Sequence, residues 1–437
     1  MTWTVDAPEA VTVPVEAAVD VARSLLARTF ALPEGPEEDL DPIAVGGTSD
    51  ALLWHREGLS LAGRGVALRL VLPRGLDDPS AVAAVAETLA AIPTEDAVGR
   101  PGCGPIVLAA LPFDRTAPAT LSVPAVTVGR DLTGQRWVTT VGPFSPVLTV
   151  EDLRGIDDLP AYQPPDSFSL VSPRPHADWE ALVAATVARV RRGGLGKVVL
   201  ARQVIVQANR EFLPADILRR LNALYPSCMV FSTGSFLGAS PELLISRQGR
   251  RVRSHPLAGT VARSGDPTAD AALTSRLLDS PKEREEHAMV VDAVAEALRP
   301  ACRALDVPQA PAIVALRNVS HLGTLIEGEL AGDGVTALDL VARLHPTPAV
   351  AGSPTADAIE YLQAVEGFDR GCYAGPVGWM DRQGDGEWAV AVRSAHVEGA
   401  TACLYAGAGI VADSDPAAEL AETQLKLQAL LAAVVRP

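Results

Sequence analysis

Of the 37 Lys and Arg residues in this chain only three are Lys: Lys197, Lys282 and Lys426. Arginine stays protonated at any ordinary pH, whereas a lysine amine can be made neutral by burial or by a nearby cation. A strong preference for Arg also leaves a few Lys behind by chance, and that alternative stands for each of them alone. Lys197 lies in "GLGKVVLARQ", followed directly by Val198, Val199 and Leu200. An amine beside apolar surface, its pKa brought down from the free value of about 10.4, could act as a base.

Carboxylates supply the complementary chemistry. Glu283 with Glu286, and Glu419 with Glu422, form two pairs at three-residue spacing. On a helix that spacing puts both carboxylates of a pair on one face. Four carboxylates facing each other repel unless a cation sits between them. Oxygen ligands without Cys or clustered His favour Mg2+ over zinc or copper. The plainer alternative makes Glu283 part of a capping box and leaves the others on a solvated face. Glu242 precedes Leu243 and Leu244. Desolvation there would raise its pKa and let it hold a proton for general acid work, unless it is a surface Glu at a strand edge. In "AGAGI", Gly407 and Gly409 offer backbone N–H groups to a carboxylate or phosphate, although such short motifs are common in turns. Arg393 interrupts the alternating "AVAVRSAHV" and is either an outward residue or a buried carboxylate clamp. His321 and His345 stand alone and default to structural roles.

The elements that must position these groups are legible mainly after residue 160. "ADWEALVAATVARVRRGG" places Trp179, Leu182, Val183, Val187 and Val190 on one helical face, stopped by Gly193 and Gly194. "KVVLARQVIVQ" is rich in β-branched residues and reads as a strand that starts at Lys197. A helix follows over 214–224, then short strands in "CMVFSTG", "ELLISRQ" and "RRVRSHPLAGT". A helix over 279–299 starts with Ser280 as cap, Pro281 at its first position and Glu283 three residues after the cap. Near the end, "YAGAGIVADSDPAAELAETQLKLQALLAAVV" reads as a strand, a Gly-rich turn and a helix opened by Asp415 and Pro416. Residues 1–160 read as strands joined by Pro/Gly turns, as in "GVALRLVLP" and "RWVTTVG". Within them the acidic stretch 33–42 reads as a solvated loop. The Pro/Ser-rich stretch 160–175 is the best boundary.

Bulk properties exclude several classes. With 48% hydrophobic and 21% charged residues the chain is globular, with a sizeable core. A net charge of −16 argues against a nucleic-acid-binding surface and for a cytoplasmic protein. Five Cys, far apart and without a CxxC pair, argue against zinc and a disulfide framework. The start has no signal-peptide pattern and no run is long enough for a membrane helix. No nucleic-acid or membrane partner is expected.

Taken together, the run from about 178 to 435 resembles the chorismate-utilising enzymes, the group of isochorismate, salicylate, anthranilate and aminodeoxychorismate synthases. The matching stretches include "GKVVLARQ", "SPELLISR", "PLAGT", "SPKEREEHAMVV", "HLGT", "LHPTPAVAG", "RGCYAGPVGW", "AVRSA", "AGAGIV" and "ELAETQLKL". The resemblance implies an α/β (α+β) fold with two large, mainly antiparallel β-sheets packed together and helices outside; periodicity alone supports only mixed α and β. It implies a variable part over 1–165, integrated in the same fold, and a chorismate-binding catalytic region over 166–437. It also assigns roles. Glu286 and Glu422 correspond to Mg2+ ligands, with Glu283 and Glu419 in support. Arg393 and Tyr373 correspond to the clamp on the enolpyruvyl carboxylate of chorismate. Gly259, Thr260, Gly407, Gly409 and Lys426 correspond to residues lining the substrate site, and His321 to a position near the ring. Lys197 corresponds to the base of the water-using members and Glu242 to the acid.

Within the group, Ala349 and the wording "HPTPAV" resemble isochorismate synthases, whereas the salicylate and anthranilate branches usually carry Thr at that position. The expected activity is therefore Mg2+-dependent isomerisation of chorismate, with salicylate synthesis as the runner-up. An ammonia-using synthase and a non-catalytic chorismate binder are the remaining alternatives. A monomer is expected, and supply of a menaquinone or of a siderophore pathway fits equally.

Overall fold

A computed structural model describes residues 10–33, 41–46, 52–148, 152–153 and 162–435. Most of the acidic stretch 33–42, and the start of the 160–175 boundary, lie outside them. The strands form two mainly antiparallel sheets. The first runs Phe168–Val171, Lys197–Ala208, Thr401–Ile410, Ser394–Glu398, Phe236–Ser240, Met229–Thr233, Leu52–Arg56, Leu59–Leu72, Ala119–Asp131, Arg136–Gly142, Leu26–Ala31 and Thr94–Asp96. The second runs Ile106–Ala110, Pro376–Asp381, Gly386–Val390, Leu243–Gln248, Arg251–His255, Ile326–Leu330 and Cys302–Asp306. The single residue pair Leu108–Ser122 joins the two ladders. A smaller sheet of Leu257–Ala262, Val319–Gly323 and Ala312–Ala315 stands apart.

Alternation along each strand decides which side chains meet. Trp54, Leu61, Trp137 and Phe231 of the first sheet pack against Ile106, Val377, Trp379 and Ala389 of the second. Burying an apolar side chain of this size contributes about 1.5–3 kcal/mol. Elsewhere the first sheet is covered by helices: Ile217, Leu218 and Leu221 of Pro214–Leu224, with Leu427, Leu430 and Val434 of Pro416–Val434, meet Val204, Val206 and Leu404. Strands from before residue 165 pair with strands after it, Leu52–Arg56 with Met229–Thr233 and Ile106–Ala110 with Pro376–Asp381. The Trp54 indole N–H also donates to Glu387.

The helix starts follow their caps. Ser280 accepts from the Glu283 N–H at 3.3 Å and Asp415 from the Ala418 N–H at 2.9 Å, each followed by Pro in the first turn. Ser280 therefore forms one half of a capping box, while the Glu283 carboxylate lines a cavity. One expectation is corrected: "AGAGI" is not a turn. The strand Thr401–Ile410 runs through it, with Gly407 opposite Ala201 and Gly409 opposite Val199. Glycine suggests a turn when read alone, but here the ladder continues and the missing side chains leave room over the strand. Helices at Pro79–Ala91, Pro267–Asp279, Ala337–Leu344 and Thr355–Val365 were not expected from the sequence, although Asp78 and Asp266, each followed by Pro, and the Thr336/Asp339 capping box mark three of their starts. Among the described residues no helix is long and apolar enough to cross a membrane.

Candidate active site

One cavity gathers the groups that the sequence singled out. Lys197, Glu242, Gly259, Thr260, Glu283, Glu286, His321, Ala349, Tyr373, Arg393, Gly407, Gly409, Glu419, Glu422 and Lys426 all line it. So does Lys282, to which the sequence attached no role, so every lysine of the chain faces this cavity. His345 does not line it. Its Nε2–H donates to the Phe113 carbonyl at 2.9 Å, a buried structural contact.

The two long strands Lys197–Ala208 and Thr401–Ile410 form one wall. Strand alternation points Lys197 and Val199 into the cavity from the first, and Tyr405, Gly407 and Gly409 from the second. A Cβ on Gly409 would lie 2.8 Å from Lys197 Cε and 3.0 Å from Glu286 Oε1, so glycine is needed to let the amine cross the strand. Tyr405, missed in the sequence, stacks on Tyr373 with ring centroids 5.1 Å apart. The alternation Tyr405, Gly407, Gly409 was the signal that could have found it.

Helices bring the carboxylates. Glu283 and Glu286 project from the first two turns of Pro281–Leu298, and Glu419, Glu422 and Lys426 share one face of Pro416–Val434. Lys197 is 2% exposed, and its amine meets Glu286 Oε1 at 2.7 Å. Apolar flanks suggested an amine against hydrocarbon, but the side chain reaches across Gly409 to a carboxylate instead. Lys426 pairs with Glu422 at 2.7 Å and donates to the Gly407 carbonyl at 2.9 Å. The motif "AGAGI" thus presents a carbonyl where the sequence suggested N–H donors.

Burial and charge pull the carboxyls apart. Glu242, 7% exposed, is pushed up to about 7 by desolvation, against the opposing pull of Arg393 and Lys197. Burial, then repulsion from Glu422, lifts Glu419 to about 7. Glu283 is raised by burial and by the charge of Glu286. At Glu286 burial works in the same direction but loses to the charge and hydrogen bond of Lys197, and the carboxyl ends below its usual value. Glu242 and Glu419 are therefore the carboxyls best suited to carry a proton near neutral pH, and Glu286 is held towards the ionised form.

A divalent cation can be tested against this donor set. Four carboxylates, two of them raised by burial and then by repulsion from a neighbouring Glu, are an all-oxygen set of the kind that Mg2+ takes. Among the described residues no three of them are drawn together into a ready cage. Glu286 and Glu422 are engaged by Lys197 and Lys426 instead. The donors suit the ion in kind, and two would have to exchange a lysine for it.

The remaining polar wall comes from bent backbone. Arg393 sits between Gly386–Val390 and Ser394–Glu398 with φ +50°, a conformation uncommon in non-glycine residues and over-represented at functional sites. That break is the interruption visible in "AVAVRSAHV". Gly259, at φ +71°, makes a bulge in the small sheet between Ala258 and Thr260, and a Cβ there would lie 2.8 Å from Glu283 Oε2. His321 contacts the Gly259 carbonyl at 3.1 Å, the Thr260 hydroxyl at 3.0 Å and Arg393 Nη2 at 2.8 Å.

Ala349 and Val350 form the floor, on the loop between Ala337–Leu344 and Gly352–Ser353. A buried pair, Arg370 and Glu366, holds that floor against the lysine strand. Arg370 donates to the Val350 and Val199 carbonyls, and Glu366 accepts from the Ala201 N–H. The Arg370 guanidinium lies 4.2 Å above the Phe113 ring, so the first 165 residues reach the back of the site.

A family model described as "Chorismate binding enzyme" matches residues 150–435. The chain is 40% identical over 342 residues to isochorismate synthase DhbC of Bacillus subtilis, covering 76% of this chain and 81% of the relative. It is 34% identical over 334 residues to isochorismate synthase EntC of Escherichia coli, covering 75% and 80% respectively. The solved structure of MenF, the menaquinone-specific isochorismate synthase from Escherichia coli, superposes with a TM-score of 0.76 at 25% identity, over 93% of this chain and 94% of that one. On the family match and the extent of these similarities, the chain belongs to the chorismate-binding enzyme family.

Proposed function

We propose that this chain is an isochorismate synthase, adding water at C2 of chorismate while the C4 hydroxyl leaves. The observation that carries the reading is that Lys197 and the proton-holding Glu242 line one cavity with Arg393 and four glutamates. Water needs a base on its side of the ring, and the leaving hydroxyl needs an acid. Lys197 takes the proton from water and Glu242 gives one to the departing oxygen. The new C–O bond forms at C2 as the old one breaks at C4, so water is consumed and released and the reaction is a net isomerisation. Lys197 begins paired with Glu286, so it serves as a base only after that pair opens and the amine loses its proton. Arg393 and Tyr373 hold the enolpyruvyl carboxylate, the guanidinium supplying charge-assisted hydrogen bonds. Gly259, Thr260, Gly407, Gly409 and Ala349 shape the space around the ring, with Lys426 and His321 at its polar edge. Mg2+ held by Glu286 and Glu422, with Glu283 and Glu419 in support, would supply positive charge for the ring carboxylate.

Purified protein incubated with chorismate, with and without Mg2+, tests the reading by chromatography of the product. Isochorismate formed only with Mg2+ is expected. Salicylate with pyruvate would replace isomerisation by elimination as the activity, and no turnover would overturn the assignment.

A further inference from the structure

The contacts of His321 leave only one arrangement of its protons. Nδ1 lies 3.1 Å from the Gly259 carbonyl oxygen, which can only accept. Nδ1 therefore carries a hydrogen. Nε2 lies 2.8 Å from Arg393 Nη2, and a guanidinium can only donate. Nε2 therefore carries none. Thr260 Oγ1, 3.0 Å from Nδ1, completes the contacts as a second acceptor. The ring is neutral, 4% exposed, and both of its nitrogens are engaged. Neither nitrogen is available to move a proton to or from a ligand.

What the ring does is connect two distorted pieces of backbone. The Gly259 bulge, made possible by its left-handed φ, turns a carbonyl towards His321 Nδ1. Arg393, on the far side, leaves a residue whose φ of +50° aims its side chain off the path of the strands. Its carbonyl is held by the Ala239 N–H at 3.1 Å. A long guanidinium fixed only at its backbone samples many rotamers, and ordering such a side chain on binding weakens that binding about 2- to 13-fold. The acceptor at His321 Nε2 does that ordering beforehand and takes one N–H of the fork. An imidazolium there would turn a donor towards a donor and set two positive charges side by side. Burial, reinforced by Arg393 and Lys426, keeps the ring neutral, its pKa well below the ordinary histidine value.

We propose that His321 is a positioning residue for Arg393: locked as the Nδ1–H tautomer by Gly259, it holds the guanidinium in the orientation that receives the substrate carboxylate. The proposal deepens the reading of Arg393 as a carboxylate clamp and rests on it. It separates His321 from the acid and base of the reaction, and it places its effect on binding.

Two measurements test it. Nitrogen-15 NMR of His321 in the ligand-free protein at neutral pH is expected to give a protonated Nδ1 and an unprotonated Nε2. An Nε2–H tautomer or an imidazolium would overturn the proposal, whatever reaction the enzyme catalyses. Steady-state kinetics with chorismate supply the second. His321→Leu removes the acceptor and is expected to raise KM about 2- to 13-fold, with kcat changing less than about 2-fold, the scale of ordering one guanidinium on binding. His321→Gln, whose amide oxygen can replace Nε2 as acceptor, is expected to bring KM back close to wild type. A fall in kcat at unchanged KM in both variants would mean that His321 acts in the chemistry and would refute the positioning role. If the wild-type protein fails to consume chorismate, the functional reading falls while the NMR result still decides the tautomer.

Discussion

Gly409→Ala perturbs the geometry of the Lys197–Glu286 pair without replacing a charged residue. Gly409 has no left-handed φ, so alanine meets no backbone strain there. The new Cβ would stand 2.8 Å from Lys197 Cε and 3.0 Å from Glu286 Oε1. Carbon–carbon contacts become favourable from about 3.5 Å, so the lysine end must retreat by about 0.7 Å. Overpacking a well-filled interior costs about 1–3 kcal/mol, which a protein of this size survives with its fold intact. The catalytic cost is larger in proportion, because a misplacement of about 1 Å can lower a rate about 100-fold. The variant is expected to fold, to melt at a moderately lower temperature, and to form isochorismate with kcat reduced about 10- to 100-fold. Circular dichroism melts and chromatographic rate assays measure the two effects separately. Gly332→Ala, where a Cβ meets nothing within 4 Å, is the control and should match wild type in both. A Gly409→Ala enzyme with wild-type kcat would refute the claim that this close crossing sets the position of the amine.

Further expectations follow from the same contacts. Lys197→Arg keeps a cation beside Glu286 but cannot lose its proton, so the fold should persist and kcat should fall about 100-fold or more in the chorismate assay. Glu242 is needed protonated, and its folded pKa of about 7 places an alkaline limb in the kcat/KM profile near that pH, which Glu242→Gln should remove along with most of the activity. The same shift gives a stability effect: the folded value lies above the unfolded one of about 4.3, so the contribution is full below pH ~4.3 and is lost as pH rises through about 7. Denaturant titrations at several pH values should show wild type losing stability relative to Glu242→Gln over that window. Arg370→Met leaves Glu366 buried without its partner and should cost about 3–5 kcal/mol in urea unfolding; a cost below about 1 kcal/mol would show that the pair does not secure the floor of the site.

The chemistry-bearing residues were legible in the sequence because their environment is local. Ser280 and Asp415 mark helix starts, helical spacing pairs the glutamates, and the strand beginning at Lys197 is visible from its β-branched residues. The interruption at Arg393 was visible as a break in alternation. Partners were not legible, because they depend on crossings between elements far apart in the chain. That Lys197 meets Glu286 follows from a helix laid across a strand ladder at Gly409. Burial of Glu242, and the proton it holds, depends on a cavity closed by both helices and the small sheet. The glycines of "AGAGI" looked like a turn because local propensity contains no information about the neighbouring strand that extends them. Residue types and spacing determined which groups could react. Only the tertiary structure decided which carboxyl is desolvated, which is ion-paired and which way the His321 ring carries its hydrogen, because each depends on long-range contacts that sequence neighbours do not supply.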